Sequence, residues 1–569
     1  MSDKLKEYQA VSGKLPEQYL LWTLYGSGFE NMGKNGKPIQ KPFPKIKDNE
    51  LLIRHDACGL CFSDIKVINQ GQNHPRIFSD MESEPVVLGH EVSMTVVQVG
   101  EKLHDRYRMG DKLIIEADIY INSVSVAYGY SLQGGLSQYS VIDERVLNTD
   151  TGDNLIHIKN ETGYAEGALV EPWACVVAAY RLEYRKGLKN GGIAWMIGAG
   201  GQAPYAISTG FDAKSHPAKL YLTNVPTSFA AWLKERAKET QTEVVEVANI
   251  DDIQKESVDD IVLLGADAHL IEKVSHKLTQ FGMLAVVASE PMKCKVNIDV
   301  GRIHYMRWGY VGSQDVDIAQ AYQRNPIRSA LKAGGKAWFV GAGGPIGRMH
   351  VQRAIQVDNH PSTIVCTDVS DLRLNDMYES FKEEVAAKNI EFICLNPIQK
   401  EAYEAGMAHF FGDGFDDVIV LAPIASVIAD AASHVAPQGV MNVFAGVGKG
   451  TMVDIDLSDV YLKGTRYIGH SGSGMEDMLI TLRQSEAGEL SPNRAVAAVG
   501  SIHAARLGLQ AVKEQIYPGK VVIYLNIKEL PLTTMADLKE KMPSVFAKLK
   551  DGREWTNEAE DEFLQLMLP

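Results

Sequence analysis

One stretch of this chain occurs twice. Lys189 to Gly201 reads Lys-Asn-Gly-Gly-Ile-Ala-Trp-Met-Ile-Gly-Ala-Gly-Gly, and Lys332 to Gly344 reads Lys-Ala-Gly-Gly-Lys-Ala-Trp-Phe-Val-Gly-Ala-Gly-Gly. The lysine, the Ala-Trp pair and all the glycines coincide at a shift of 143 (332 − 189). The echo resumes further on at a shift of 157 (453 − 296). There Asp259, Asp260 and Gly282 match Asp416, Asp417 and Gly439, and Val296, Ile298, Asp299, Tyr310 and Gly312 match Val453, Ile455, Asp456, Tyr467 and Gly469. A register held over that distance, with one change of about 14 residues, is the mark of a duplicated domain.

Each copy reads as a short apolar strand running into a glycine turn. In the second copy the strand is Ala337 to Val340, and a helical pattern follows the turn. Gly341 and Gly343 allow a tight turn and close approach of main-chain N–H groups to a ligand. Gly344, Pro345 and Ile346 open the helix, and Gly347 lets it pack on the strand. A helix N-terminus placed this way faces a phosphate with free donors and a positive dipole end. The next strand ends at Asp368, 27 positions after Gly341 (368 − 341), where a ribose diol would lie. The first copy differs where chemistry would notice. It has Pro204 in place of Gly347, and its second strand ends Leu222-Thr223-Asn224 without a carboxylate. The second copy is therefore expected to be the working cofactor site, and the first a packing and spacing module.

With 569 residues the chain has room for three or four domains. Its net charge of −15, with no basic cluster, opposes phosphate backbones and excludes nonspecific nucleic-acid binding. No apolar run reaches the length of a membrane span, and Met1 to Gln9 lacks an apolar signal core. Six scattered cysteines point to a reducing compartment. The expectation is a soluble cytoplasmic enzyme.

Before the repeat, short alternating strands separated by glycine turns predict a small β-barrel-like domain. Two of its turns and one helix start carry Cys61, His90 with Glu91, and Glu171. Thiolate, imidazole and carboxylate suit zinc, and three ligands with an open position make a Lewis acid. Each of these residues taken alone is equally at home in a structural role.

Cys-x-Ser-Asp at Cys61 to Asp64, Gly-His-Glu at Gly89 to Glu91, Gly-Asp at Gly110 and Asp111, Gly-Gly-x-x-x-Tyr at Gly134 to Tyr139 and Glu-Pro at Glu171 and Pro172 resemble, in order and spacing, the zinc-dependent medium-chain dehydrogenases. Glu-Pro at the third position is similar to the sorbitol and threonine dehydrogenase branch. Gly414 to Val418, Ala422 to Ser426, Asn442 to Gly446 and Gly469 to Gly472 look closer still to L-sorbose-1-phosphate reductase-like members. The resemblance implies an α/β architecture: a GroES-like β-barrel catalytic domain plus two tandem Rossmann domains, each a doubly wound parallel sheet. It implies Cys61 and His90 as ligands of one catalytic zinc, with Glu91 and Glu171 sharing the carboxylate role. It also implies Ser63 as the outward proton path and Asp64 as the residue orienting His90. Asp368 favours NAD over NADP, although Arg373 sits close enough to reverse that choice.

Three departures stand out. No cysteine lies between Asp111 and Gly134, so no structural zinc is expected. Lys66 replaces the usual relay histidine, and a lysine relays a proton only with a depressed pKa; a solvated surface cation is the equal alternative. The extra nucleotide domain has no counterpart in the single-domain plan. The expected organisation is a catalytic domain over 1–185, a first Rossmann-like domain over 186–328, a second, NAD-binding one over 329–475, and a return to the catalytic domain with a helical tail over 476–569. The expected activity is zinc-dependent hydride transfer between NAD(H) and a secondary alcohol or ketone of a polyol, sugar or sugar phosphate, in a homo-oligomer, a dimer. A catalytically degenerate nucleotide-sensing or assembly protein is the alternative from another class.

Overall fold

Long aliphatic and β-branched runs, buried on both faces, set the strands of the protein. The computed structural model describes residues 4–12 and 15–569. The chain divides into two units, one of Met1–Val177, Gly344–Met349 and Ser473–Pro569, the other of Ala178–Gly343 and His350–Gly472. Among the described residues no helix is long and apolar enough to cross a membrane.

The N-terminal part of the first unit contains β1 (Leu51–Gly59), α1 (Phe62–Gln70), β2 (Glu91–Val99), β3 (Lys112–Ile115), β4 (Tyr139–Ile142) and β5 (Leu155–His157), followed by α2 (Val170–Ala179). β1 is buried along its whole length.

The second unit holds two six-stranded sheets. The first consists of β6 (Ile193–Gly198), β7 (Lys219–Thr223), β8 (Glu243–Glu246), β9 (Val258–Leu264), β10 (Leu278–Val287) and, after β11 (Val296–Asp299) and α3 (Val300–Met306), β12 (Gly309–Ser313). The second consists of β13 (Lys336–Val340), then, after α4 (Pro345–Gln356), β14 (Thr363–Thr367), β15 (Glu391–Leu395), β16 (Phe415–Val420), β17 (Val435–Val443) and, after β18 (Met452–Ile455) and α5 (Ser458–Leu462), β19 (Arg466–Ile468). Both are parallel and share one strand order, β8-β7-β6-β9-β10-β12 and β15-β14-β13-β16-β17-β19. The order reverses beside the strand that carries each glycine turn. The matching tryptophans do matching work: Trp195 donates to Thr223 Oγ1 (2.9 Å) and Trp338 to Thr367 Oγ1 (3.1 Å). A buried indole that satisfies its N–H adds apolar area without a desolvation cost.

The sheets are joined through equivalent segments. β11 pairs antiparallel with β18, Val296 opposite Ile455 and Ile298 opposite Val453. Since Val296 matches Val453 and Ile298 matches Ile455 in the repeat, the pairing exchanges the copies, as an isologous contact about a two-fold axis does. One apolar core contains Trp195, Leu284 and Trp308 together with Trp338, Phe415 and Val443.

The copies part company after the glycine turn. In the second, α4 starts at Pro345. In the first, none of the described residues 199–218 is helical. Pro204, Gly210 and Pro217 interrupt that stretch, and proline in a helix interior costs about 3 kcal/mol.

The C-terminal part returns to the first unit with β20 (Val496–Ser501), β21 (Lys520–Tyr524) and β22 (Thr533–Thr534). The first unit's sheet runs β22-β20-β21-β1-β2-β3-β5, with β4 also paired to β1. Gly59 of β1 stands between Val522 of β21 and Glu91 of β2.

Candidate functional site

Cys61 leaves the end of β1 and precedes the first residue of α1. Asp64, in the first turn of that helix, is buried and ties the helix start to the Gly89–His90 turn. Its Oδ2 accepts the Cys61 N–H (3.1 Å), its Oδ1 accepts the Gly89 N–H (3.3 Å), and Oδ1 lies 3.4 Å from His90 Nδ1. The imidazole is thereby held with Nε2 toward the thiol. Ser63 Oγ lies 3.0 Å from Cys61 Sγ and 3.1 Å from His90 Nε2. One donor atom each from Cys61, His90 and Glu91 lie within 4.8 Å of one another.

Glu91 opens β2. Its Oε1 is paired with the Lys520 ammonium, and its Oε2 is buried without a hydrogen-bond partner. A Cβ on Gly59 would stand 2.2 Å from Oε2, so the glycine makes the space for the carboxylate. Burial works against the Lys520 charge, but Glu91 and then Cys61 hold its pKa above the ordinary lysine range. Lys520 belongs to the last part of the chain, and sequence reading missed it. Its signal is register: it lies two residues from Val522, which faces Gly59, on the same side of β21.

Glu171 stands outside the cluster of three donors but senses it. Burial raises its pKa most, the His90 charge lowers it, and the Glu91 charge raises it again. Glu116, also missed, is pushed up to about 8 by burial and by the charges of Asp118, Glu171 and Asp477. Ser473 Oγ lies 3.5 Å from Glu116 Oε2 and 3.8 Å from Cys175 Sγ, which places the end of the Gly469–Gly474 segment beside this acid. The Tyr130 ring lies tilted between two imidazoles, its centroid 5.7 Å from that of His90 and 5.5 Å from that of His74. Lys66 is half-buried on α1, and with burial and Arg76 its charge lowers the His74 pKa. Cys58 is buried, its Sγ against the Gly59 carbonyl (3.4 Å).

In the second copy, the Gly343 N–H donates to Asp368 Oδ2 (3.0 Å), and the Ser370 N–H donates to Oδ1 (3.0 Å). Arg373 Nη1 lies 3.9 Å from Oδ1. A Cβ on Gly343 would approach the Asp368 carboxyl carbon to 2.6 Å. Gly341 accordingly begins a turn pinned to the end of β14, with the Gly341 and Ala342 N–H groups on the Thr367 carbonyl. Gly344 precedes α4, Pro345, Ile346 and Gly347 form its first turn, and Gly347 is buried.

Residues 47–149 match the alcohol dehydrogenase GroES-like domain. Mannitol-1-phosphate 5-dehydrogenase of Aliivibrio fischeri is 23% identical over 92% of this chain and 93% of its own. L-Sorbose 1-phosphate reductase of Klebsiella pneumoniae is 21% identical over 91% and 92%. The crystal structure of 2R,3R-butanediol dehydrogenase from Bacillus subtilis covers 89% of this chain and 100% of its own at 16% identity, with a TM-score of 0.51, a likeness of fold. The motifs, the matched domain over 47–149 and the full-length relatives agree in what they resemble, dehydrogenases and reductases of alcohols and sugar phosphates.

Proposed function

We propose that the protein is a zinc-dependent oxidoreductase that exchanges a hydride between NAD(H) and a secondary alcohol or ketone of a polyol, sugar or sugar phosphate. The observation that carries this is the meeting of one thiol, one imidazole and one carboxylate within 4.8 Å, in a chain that also presents a glycine turn, a helix start and Asp368. The names of the full-length relatives support the substrate class. A soft thiolate with an imidazole and a carboxylate fits zinc, and the buried, unpartnered Glu91 Oε2 is the kind of atom a cation would satisfy.

In this reading 1–185 and 476–569 form the catalytic domain, and 186–328 and 329–475 are two tandem Rossmann domains. Their common strand order supports it. The second would hold NAD, its helix start taking the pyrophosphate and Asp368 the ribose. The first lacks that helix. The chain works in the cytoplasm, and its six cysteines are all unpaired. A homodimer would form through a face other than β11 and β18, which already satisfy each other.

Zinc, when bound, polarises a carbonyl or makes a bound alcohol easier to deprotonate. Cys61, His90 and Glu91 would hold it, with Glu171 as the further carboxylate. Asp64 fixes the His90 ring so that Nε2 faces the thiol. Ser63 bridges thiol and imidazole and hands the substrate proton outward. Lys520 holds one Glu91 oxygen and leaves the other to the centre. Glu116, whose pKa burial raises to about 8, would offer a donor suited to a polyhydroxy substrate in its protonated form.

Metal analysis and a screen of polyols and sugar phosphates for NADH formation test this. The expected result is about one zinc per chain, turnover on a member of that class, and loss of both in Cys61→Ala. A protein that binds NADH without metal or turnover would instead be a nucleotide sensor on a dehydrogenase scaffold.

A further inference from the structure

The loops that leave the ends of β17 and β19 belong to the mouth of the second sheet, where open α/β sheets bind ligands. Both loops are held by α3, a helix of the first copy. The Asp299 carboxylate that precedes α3 accepts the Gly450 N–H (2.9 Å), and the Val300 N–H donates to the Thr451 carbonyl (3.0 Å). A Cβ on Gly301 would stand 2.1 Å from the Gly448 carbonyl oxygen. A Cβ on Gly469 would stand 2.9 Å from His304 Cα. The helix and the two loops are in backbone contact that any side chain would break.

His304 links the loops. It is buried, with Nδ1 2.9 Å from the Val443 carbonyl at the end of β17 and Nε2 2.8 Å from Ser471 Oγ after β19. A carbonyl only accepts, so Nδ1 carries the proton of the neutral ring and Nε2 accepts from the Ser471 hydroxyl. The hydroxyl proton is thereby committed to the ring, and the Ser471 oxygen is left as an acceptor.

The reciprocal position lacks this device. The residue matching His304 at the shift of 157 is Tyr461, which lies against Gly312 as His304 lies against Gly469, and whose hydroxyl donates to the Glu290 carbonyl (2.7 Å). Ser471 is matched by Gln314. The two-fold relation is thus broken in favour of the copy that has the helix start and Asp368.

We propose that His304, supplied by the first copy, is a positioning residue of the second copy's dinucleotide site, holding Ser471 as an acceptor for the amide of a nicotinamide dinucleotide. The first copy then stands where a partner subunit would, and completes a neighbour's pocket. This rests on the reading of the second copy as the dinucleotide site.

NADH fluorescence titration of the full-length chain tests it, alongside thermal melting. His304→Asn keeps a donor near Val443 but cannot reach Ser471. It should weaken NADH binding roughly tenfold while its melting midpoint stays within about 2 °C. Ser471→Ala should give the same loss, and the double variant no further loss, because one interaction is removed once. Tyr461→Phe should bind as the unsubstituted chain does. Wild-type binding with both His304→Asn and Ser471→Ala unaltered overturns this proposal alone. If His304→Asn does not fold, Ser471→Ala decides. No saturable binding by the unsubstituted chain overturns the dinucleotide reading and this proposal with it.

Discussion

Glu91 and Lys520 form a buried ion pair across 429 positions of chain. Neither residue is exposed, so each charge depends on the other. Breaking a buried pair costs far more than never having built it, because the survivor is left uncompensated.

Lys520→Met should therefore destabilise the protein by about 3–5 kcal/mol, whereas the double variant Lys520→Met with Glu91→Gln should regain most of that. Urea unfolding of the metal-free chain measures both. Equal losses in the single and double variants would show that the pair is not the cause.

Asp64 touches Cys61, Gly89 and His90. Asp64→Asn keeps the shape and removes the charge. Zinc affinity should fall by about 10- to 100-fold, read by competition with a chromophoric chelator, while NADH affinity stays unchanged.

His55 lies in β1, buried, with Nδ1 on the Ser137 carbonyl (2.8 Å) and Nε2 on the Tyr128 hydroxyl (2.6 Å). Burial lowers its pKa to about 4, against about 6.5 in the unfolded chain. The unfolded chain takes up a proton that the folded one refuses. Stability from this group is full above pH 6.5 and is lost as pH falls toward 4, by about 3 kcal/mol in all. The acid limb of the unfolding free energy should be shallower in His55→Asn by that amount.

Asp368 is held by the Gly343 and Ser370 N–H groups and stands 3.9 Å from Arg373. Asp368→Ser removes the carboxylate that would take the ribose in the proposed site and leaves Arg373 facing that place. The ratio of kcat/KM for NADP over NAD should rise at least about tenfold, an effect of roughly 1.4 kcal/mol. An unchanged ratio would mean that Asp368 does not meet the ribose.

Much of this was legible because it is local. Cys61, Ser63 and Asp64 share one helix start, and Gly89, His90 and Glu91 one turn, so short motifs expose them. Gly341 to Gly347 with Asp368 is one strand, turn and helix. Glu171 stood out as a carboxylate at a helix start, and the structure leaves it outside the cluster of three donors while its pKa responds to two of them. The missing helix of the first copy had a partial signal in Pro204, since a repeat that breaks its own pattern at a helix start has given up what that start does.

By itself the sequence determined the repeat, the order of the strands' raw material and the set of donor types, because periodicity and turn chemistry act between near neighbours. Only the tertiary structure decided that Lys520 pairs with Glu91, that Glu116 is buried among acids, and that a histidine of one copy links two loops of the other. Those depend on strand register and on the antiparallel pairing of β11 with β18. Such long-range pairings arise from collective packing of distant segments, and no short window of residues encodes them.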